Sequence, residues 1–491
     1  MSEHLARKTG SALFWQMTRL AGSKVTFLVR TLVLARLLAP EDFGLLAVSM
    51  IAVDLLVHLT ETGMVPALIQ RPDVDERHYH SAWTLGILRA LGVTATVYLA
   101  APLIAGLFAQ PQATPLIRVL AIRPLLDAVA SVRVVDLHRT LRFRPLTLLQ
   151  LGDAVVNTVV AIALAPLLGV WALVISVLAS SIFHATLSYI LAPYRPRLIL
   201  DREAASSLIR YGRWVFLTSL IAVSGGSMIQ LVISRRLGVA ELGLYTLAGK
   251  LAFVPYEVSS GVLQTVAFPL YTQLQTDTRR VEQTFRIVWV SAAAFLWPIC
   301  ALMMALAPSL VENVLGPRWQ GTVPLIRWLA LVNVLGLFGD VTTPIFKALA
   351  QPYRVMVVEM LQSVLLITLI WGLAGSYGVT GAALAWLIAV GSSQLVNAAF
   401  LLRVLPRPFA GLGLPMGLIA AVCGIVGLTV SSVDRLIVGP VGFLLTILSA
   451  TTAMGVLIWF LDRRFRLGLA NNLARVFPQV AGLAGYASTD S

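Results

Sequence analysis

Apolar residues run along this chain in blocks about as long as a membrane is thick. A helix that crosses the hydrocarbon core needs about 20 consecutive, mostly apolar residues. Blocks of that kind lie at 13–37, 43–65, 81–107, 115–137, 145–166, 169–191, 209–236, 242–270, 284–307, 324–346, 354–374, 378–402, 412–432 and 437–461. Short polar stretches separate them, and no stretch is long enough for a soluble domain. The pattern predicts an all-α polytopic membrane protein of about 14 transmembrane helices. Beyond the last block, Phe465, Leu469, Leu473 and Phe477 recur near helical spacing beside arginines. That spacing predicts a short interfacial helix ahead of a polar tail.

Some blocks repeat others. Pro-Leu-Ile-Arg-Val-Leu-Ala at 115–121 returns as Pro-Leu-Ile-Arg-Trp-Leu-Ala at 324–330, and the same offset of 209 carries Gly169-Val170 onto Gly378-Val379. At an offset of 199, Trp15 falls on Trp214, Arg36 on Arg235, Leu38 on Leu237, Gly44 on Gly243 and Leu45 on Leu244. Helix 1 therefore matches helix 7, and helix 4 matches helix 10. A unit of six helices returns the chain to the side where it started, so the copies are parallel, related by a pseudo-two-fold axis along the membrane normal. The expected organisation is an N-terminal lobe at 1–200, a C-terminal lobe at 201–405, and two further helices with a cytoplasmic tail at 406–491.

Composition agrees with the pattern. The chain is 58% hydrophobic with a mean hydropathy of +0.85 and only 12% charged residues, where soluble proteins carry about 25%. The net charge of +14 is scattered between apolar blocks, which excludes a nucleic-acid surface and reads as a topology signal. With a cytoplasmic N-terminus, the inner segments hold 24 of the 37 Lys and Arg and the outer segments 7. Both termini are therefore expected on the cytoplasmic side. The densest inner connection carries Arg195, Arg197, Arg202, Arg210 and Arg213. Cys300 and Cys423 sit inside apolar blocks with no metal-ligand spacing, as small packing residues do.

The repeated outer turn carries a family resemblance. Leu34-Ala35-Arg36-Leu37-Leu38-Ala39-Pro40-Glu41-Asp42-Phe43-Gly44-Leu45-Leu46-Ala47 is followed by Thr62-Gly63-Met64 and Ala67-Leu68-Ile69-Gln70-Arg71. This resembles the N-terminal signature of bacterial polysaccharide flippases. They are the polysaccharide transporter branch of the multidrug/oligosaccharidyl-lipid/polysaccharide exporter superfamily. The likeness is most specific over helices 1 to 3. It implies two six-helix lobes around a central cavity in the inner membrane, with an added helix pair. It implies movement of undecaprenyl-diphosphate-linked oligosaccharides between leaflets for exopolysaccharide, capsule or O-antigen synthesis. Membrane lipids, a polysaccharide polymerase and export machinery are the expected partners. Within the motif, Arg36, Pro40, Phe43, Gly44 and Gly63 have a structural role: Pro40 and Gly44 shape the turn, and Glu41 and Asp42 can cap the incoming helix.

Charged residues inside spanning helices are rare and usually face a cavity or a partner. On helix 1, Arg19, Gly22, Ser23, Thr26 and Arg30 fall on one face with Trp15, and Lys24 points the other way. Helix 2 aligns Asp54, His58 and Glu61; helix 7 holds Ser224-Gly225-Gly226-Ser227 and Gln230; helix 8 aligns Lys250, Phe253, Glu257, Gly261 and Gln264. We expect Arg19, Lys24, Arg30, Gln230, Lys250 and Glu257 to line a substrate cavity whose cations hold a lipid diphosphate. Asp54, His58 and Glu61 are a candidate proton or cation relay, with plain interhelical hydrogen bonding as the alternative. Arg123 and Asp127 are spaced to pair on one helix, and Arg89 is placed to snorkel or pair. Asp153, Asp340 and Glu359 stand singly and draw no assignment. No histidine shows a metal-ligand pattern. No phosphate-binding glycine loop, nucleotide-binding domain or paired outer carboxylates occur, so no cofactor or catalytic centre is expected. A cation-coupled multidrug exporter of the same superfamily is the alternative function. A membrane polymerase or ligase fits less well, because the longest outer connection, about 308–323, holds only Glu312 and Arg318 as charged groups.

Overall fold

The computed structural model of the chain describes residues 2–60, 64, 68–69, 74–140, 142–201, 226–434 and 439–465. All the regular structure among these residues is helical, and eight helices are long and apolar enough to cross a membrane. The chain divides into two compact units, Met1–Thr246 and Leu247–Ser491. Their outer surfaces are apolar. Leu99, Leu103 and Leu167 are about three-quarters exposed, the arrangement that hydrocarbon rather than water stabilises.

Unit 1 contains α1 (Ser2–Leu37), α2 (Pro40–Leu59), α3 (Glu76–Leu107), α4 (Thr114–Leu120), α5 (Arg123–Val129), α6 (Val134–Arg139), α7 (Phe143–Leu168), α8 (Val170–Leu191), α9 (residues 226–237) and the start of α10 (Val239–Ala252). The fourth predicted span, 115–137, is not one helix but the three pieces α4, α5 and α6. Pro124 has no N–H for the Leu120 carbonyl and its ring clashes with it, which breaks the ladder between α4 and α5. The second break is held by side chains: the Ser131 backbone N–H donates to Ser188 Oγ at 2.8 Å and Ser131 Oγ donates to the Ala192 carbonyl at 2.6 Å.

Unit 2 continues with α11 (Val254–Leu274), α12 (Thr278–Leu310), α13 (Thr322–Ala348), α14 (Pro352–Val404), α15 (Gly413–Asp434) and α16 (Pro440–Phe465). The eighth predicted span, 242–270, divides at Phe253 into α10 and α11, just ahead of Pro255. Spans 11 and 12 join in α14, where Gly378 turns the chain at φ 61°, ψ −146°. Its counterpart at the offset of 209, Gly169, has φ 54°, ψ −128° between α7 and α8. Both copies thus make the same left-handed turn that favours glycine. The core of unit 2 gathers Phe285, Trp289, Leu296, Leu337 and Phe346 from α12 and α13. The two additional helices, α15 and α16, pack on α12 through Ala305, Leu306, Val422, Val426, Phe443 and Met454.

Pro40 and the acidic pair of the outer-turn motif take the places their residues predict, whereas Gly44 lies within α2 and not in the turn. Asp42 Oδ2 accepts the Ala39 backbone N–H at 3.0 Å, and Pro40 opens α2 with Glu41 and Asp42 in the first turn. Those carboxylates face the positive end of the helix dipole. Phe43 is buried, while Arg36 is exposed. Within unit 1, the two copies of the motif meet. A Cβ on Gly44 would stand 2.0 Å from the Val239 carbonyl oxygen, and a Cβ on Gly243 would stand 1.8 Å from that of Pro40. The offset of 199 maps Pro40 onto Val239 and Gly44 onto Gly243, so the contact is reciprocal. Only glycine permits so close a helix crossing. Glu61, Gly63, Trp214, the Ser224-Gly225 pair and the predicted interfacial helix beyond Phe465 lie outside the described residues.

Candidate functional site

Helix α1 sets the first part of the site. One edge of its polar face is a packing seam with α7. Gly22 lies against Leu151, Thr147 Oγ1 donates to the Trp15 carbonyl at 3.0 Å, and the Arg144 guanidinium stands 5.7 Å above the Trp15 ring. Thr26 Oγ1 bonds back to the Gly22 carbonyl at 2.8 Å. Arg19 and Arg30 occupy the rest of the face, both half-buried. Each has a buried Nε with no hydrogen-bond partner among the described residues. A buried guanidinium N–H without an acceptor costs about 1–3 kcal/mol, which an incoming anion would recover. Arg19 also lies near His138 of α6, where burial first and then the Arg19 charge hold the imidazole below its usual range.

The other predicted cavity residues are distributed. Lys24 and Gln230 are half-buried in unit 1; Lys250 is half-buried in α10 and Glu257 is exposed on α11, both in unit 2. Lys24, Lys250 and Glu257 each engage neighbouring groups.

A second polar centre also lies in unit 1. A cavity of about 470 Å³ between α2, α3, α5 and α6 is lined by Asp54, His58, Trp83, Arg89, Arg123, Asp127 and His138. Arg123 reaches Asp54 Oδ1 at 3.2 Å and Asp127 Oδ2 at 3.4 Å. The expected Arg123–Asp127 pair is present, and Asp54, predicted as part of a relay, is its second partner. His58 lines the same cavity, and Arg89 donates to the Thr60 carbonyl at 3.4 Å. On its other side, Arg123 borders a cavity of about 360 Å³ lined also by Asp127, Asp153, Asn157, Ser180 and His184. There His184 Nδ1 and Asp153 Oδ2 are 2.5 Å apart, and Asn157 donates to Ser180 at 3.2 Å.

Sequence reasoning passed over the Asp153–His184 pair, although a signal exists. The two residues stand 16 and 15 positions from Gly169, so the α7–α8 hairpin sets them opposite each other. The repeat supplies a comparison inside the same chain. At the offset of 209, Asp153 and His184 map onto Gln362 and Ser393, whose side chains also meet, Ser393 Oγ donating to Gln362 Oε1 at 3.2 Å. By the same offsets Asp54, Arg123 and Asp127 map onto Phe253, Val332 and Gly336. Unit 2 therefore keeps a neutral hydrogen bond where unit 1 keeps ionisable groups. The hairpin itself does not require the charges.

Among the described residues no group of three His, Cys, Asp or Glu side chains is placed to hold a metal ion.

A family model described as "Polysaccharide biosynthesis protein" matches residues 33–324. The succinoglycan biosynthesis transport protein ExoT of Rhizobium meliloti is 25% identical over 340 residues, covering 69% of this chain and 68% of that protein. The lipopolysaccharide biosynthesis protein WzxC of Escherichia coli is 23% identical over 393 residues, 78% of each chain. Among solved structures, the lipid II flippase MurJ in an inward closed conformation matches with a TM-score of 0.74 at 14% identity, covering 92% of this chain and 99% of that one. An inward-facing multidrug resistance transporter of the MATE family matches with a TM-score of 0.60 at 17% identity, covering 79% and 98%. These likenesses establish an all-α transporter fold.

Proposed function

The chain belongs to the polysaccharide biosynthesis protein family, and from that premise we propose that it is a flippase for lipid-linked oligosaccharides. Its cargo is an oligosaccharide repeat unit on undecaprenyl diphosphate, carried from the cytoplasmic to the periplasmic leaflet of the inner membrane by alternating access. The observation that carries this reading is the pair of half-buried arginines on α1, Arg19 and Arg30, each with an Nε that has no acceptor among the described residues. A lipid diphosphate brings at least two negative charges out of the headgroup region. Guanidinium groups meet phosphate oxygens with parallel N–H donors, at about twice the strength of neutral hydrogen bonds. Gln230, Lys24, Lys250 and Glu257 are further contributors to cargo binding. The chain acts as a carrier, not an enzyme, and both termini face the cytoplasm, as the distribution of Lys and Arg supports.

Ion coupling supplies the driving force in this reading. Asp54, His58 and Glu61 are the proposed entry to a relay that continues through Arg123 and Asp127 to Asp153 and His184. The neutral Gln362–Ser393 pair in the repeat supports a role for these ionisable groups beyond structure. The test is a strain lacking this chain, in which the lipid-linked glycan should accumulate on the cytoplasmic leaflet, and wild-type protein should restore it to the outer leaflet. Unchanged sidedness in the deletion strain would reject the proposal.

A further inference from the structure

The chain between α8 and residue 201 is extended, yet it does not leave the protein. His80 Nδ1 and Tyr194 Oη are 2.7 Å apart. Thr84 Oγ1 donates to the Arg197 carbonyl at 3.4 Å, and the Asp201 backbone N–H donates to Ser81 Oγ at 3.0 Å. The buried Ala192 carbonyl takes the Ser131 hydroxyl. These bonds lay the segment back along the beginning of α3. Helix α3 starts at Glu76, and its predominantly apolar block starts at Ser81. At 1.5 Å per residue, Thr84 is about 12 Å along the helix from Glu76. The strap therefore lies at the boundary between headgroups and acyl chains, not out in the aqueous phase.

What it presents there is uneven. Leu198, Ile199 and Leu200 are 75%, 42% and 53% exposed. Arg195 and Arg197, just ahead of them, are exposed and make no ion pair among the described residues. Of the nearby charges, Glu76 is already engaged by Arg133. The segment that follows α14 in unit 2 is treated differently. There the Arg407 N–H donates to Glu282, Arg286 donates to the Arg407 and Pro408 carbonyls, and the Phe409 ring packs on Phe285 and Phe338. In unit 2 the corresponding chain is tied down by Glu282 and Arg286 and exposes a single large apolar side chain, Phe409 at 39%, while in unit 1 three consecutive ones, Leu198, Ile199 and Leu200, are exposed beside Arg195 and Arg197.

We propose that the strap at 195–200 is a lipid-docking surface that binds anionic phospholipid headgroups through Arg195 and Arg197 and seats Leu198, Ile199 and Leu200 among the first acyl carbons. Basic residues close to an anionic leaflet gain affinity, and apolar side chains at that depth are buried by lipid rather than hydrated. The surface fastens unit 1 to the inner leaflet. It stands independently of the cargo assigned above.

Its test uses the full-length protein carrying Ile199→Cys and an environment-sensitive fluorophore; Cys300 and Cys423 are buried and leave the new thiol as the accessible one. The labelled protein is placed in nanodiscs of phosphatidylcholine alone or with a quarter phosphatidylglycerol, and quenching by iodide is measured. The proposal expects a blue-shifted, protected label with phosphatidylglycerol, and loss of that lipid effect when Arg195→Gln and Arg197→Gln are added, about fivefold in preference per arginine. A label equally open to iodide in both lipids would overturn it and turn the strap toward the cytosol or a protein partner. Protection that ignores lipid charge and survives both substitutions would overturn the headgroup site. Both variants alter exposed side chains, and a monodisperse elution profile with an unchanged melting temperature verifies that the protein is folded.

Discussion

At the scale of single residues, the demands on Arg30 and Arg123 differ. Arg30 keeps an Nε without an acceptor among the described residues, whereas Arg123 is held by two carboxylates. Arg30→Gln should abolish export while protein abundance stays near wild type, measured by glycan sidedness and immunoblot. Arg30→Lys separates two mechanisms: partial activity means that a point charge suffices, and loss means that paired N–H donors are needed. Arg123→Gln should instead destabilise, because Asp54 and Asp127 lose their counter-charge. All three side chains are between 31% and 47% exposed, so the loss falls between the surface and buried limits, about 1–3 kcal/mol, read as a lowered melting temperature. The relay has its own control in the repeat. Replacing Asp153→Gln together with His184→Ser installs the pair already found at Gln362 and Ser393. That double variant should fold and accumulate but lose transport or its dependence on pH; full transport with an unaltered pH profile would remove the pair from the mechanism.

At the scale of elements, the reciprocal crossing of α2 and α10 makes an unusual demand. Gly44→Ala and Gly243→Ala each drive a methyl into a backbone carbonyl that cannot turn aside. Each should cost about 1–3 kcal/mol by overpacking. Because both relieve or strain one crossing, their combined effect should be less than additive in a double-mutant cycle of melting temperatures. Full additivity would mean that the two glycines act apart. The crossing also shows what the sequence displayed. Helix positions followed from apolar length, and Gly44 and Gly243 were found by their repetition, because backbone demands of this kind leave the same residue in both copies. The break of the fourth span was less visible, since Pro124 at an otherwise apolar stretch reads equally as a kink. Asp54 and Arg123 are 69 positions apart, and no local spacing announces a contact between α2 and α5, which are so distant along the chain. Asp153 and His184 became readable only once Gly169 was known to be the centre of a hairpin.

At the scale of the whole molecule, duplication explains both the regularity and the departures from it. The two copies share their left-handed glycine turns and their outer motif, yet only the first copy places Asp54, Arg123, Asp127, Asp153 and His184 inside its bundle. Charge at membrane depth is costly, and this particular cluster occurs in one copy, although unit 2 carries Lys250, Glu257 and Asp340 of its own. The proposed orientation of the chain rests on the distribution of Lys and Arg. Cysteines introduced at Ser2 and Ser491 should be labelled only from the cytoplasm, and labelling of either from the periplasm would reverse the direction assigned to transport. The most direct test of the proposed flippase joins the scales: the sidedness of the lipid-linked glycan in a deletion strain carrying Arg19→Gln and Arg30→Gln on an abundant, membrane-inserted protein. Retention of the glycan on the cytoplasmic leaflet, as in the deletion itself, is the expected result. Full return of the glycan to the periplasmic leaflet would contradict it, and cargo recognition by the α1 arginines would have to be given up.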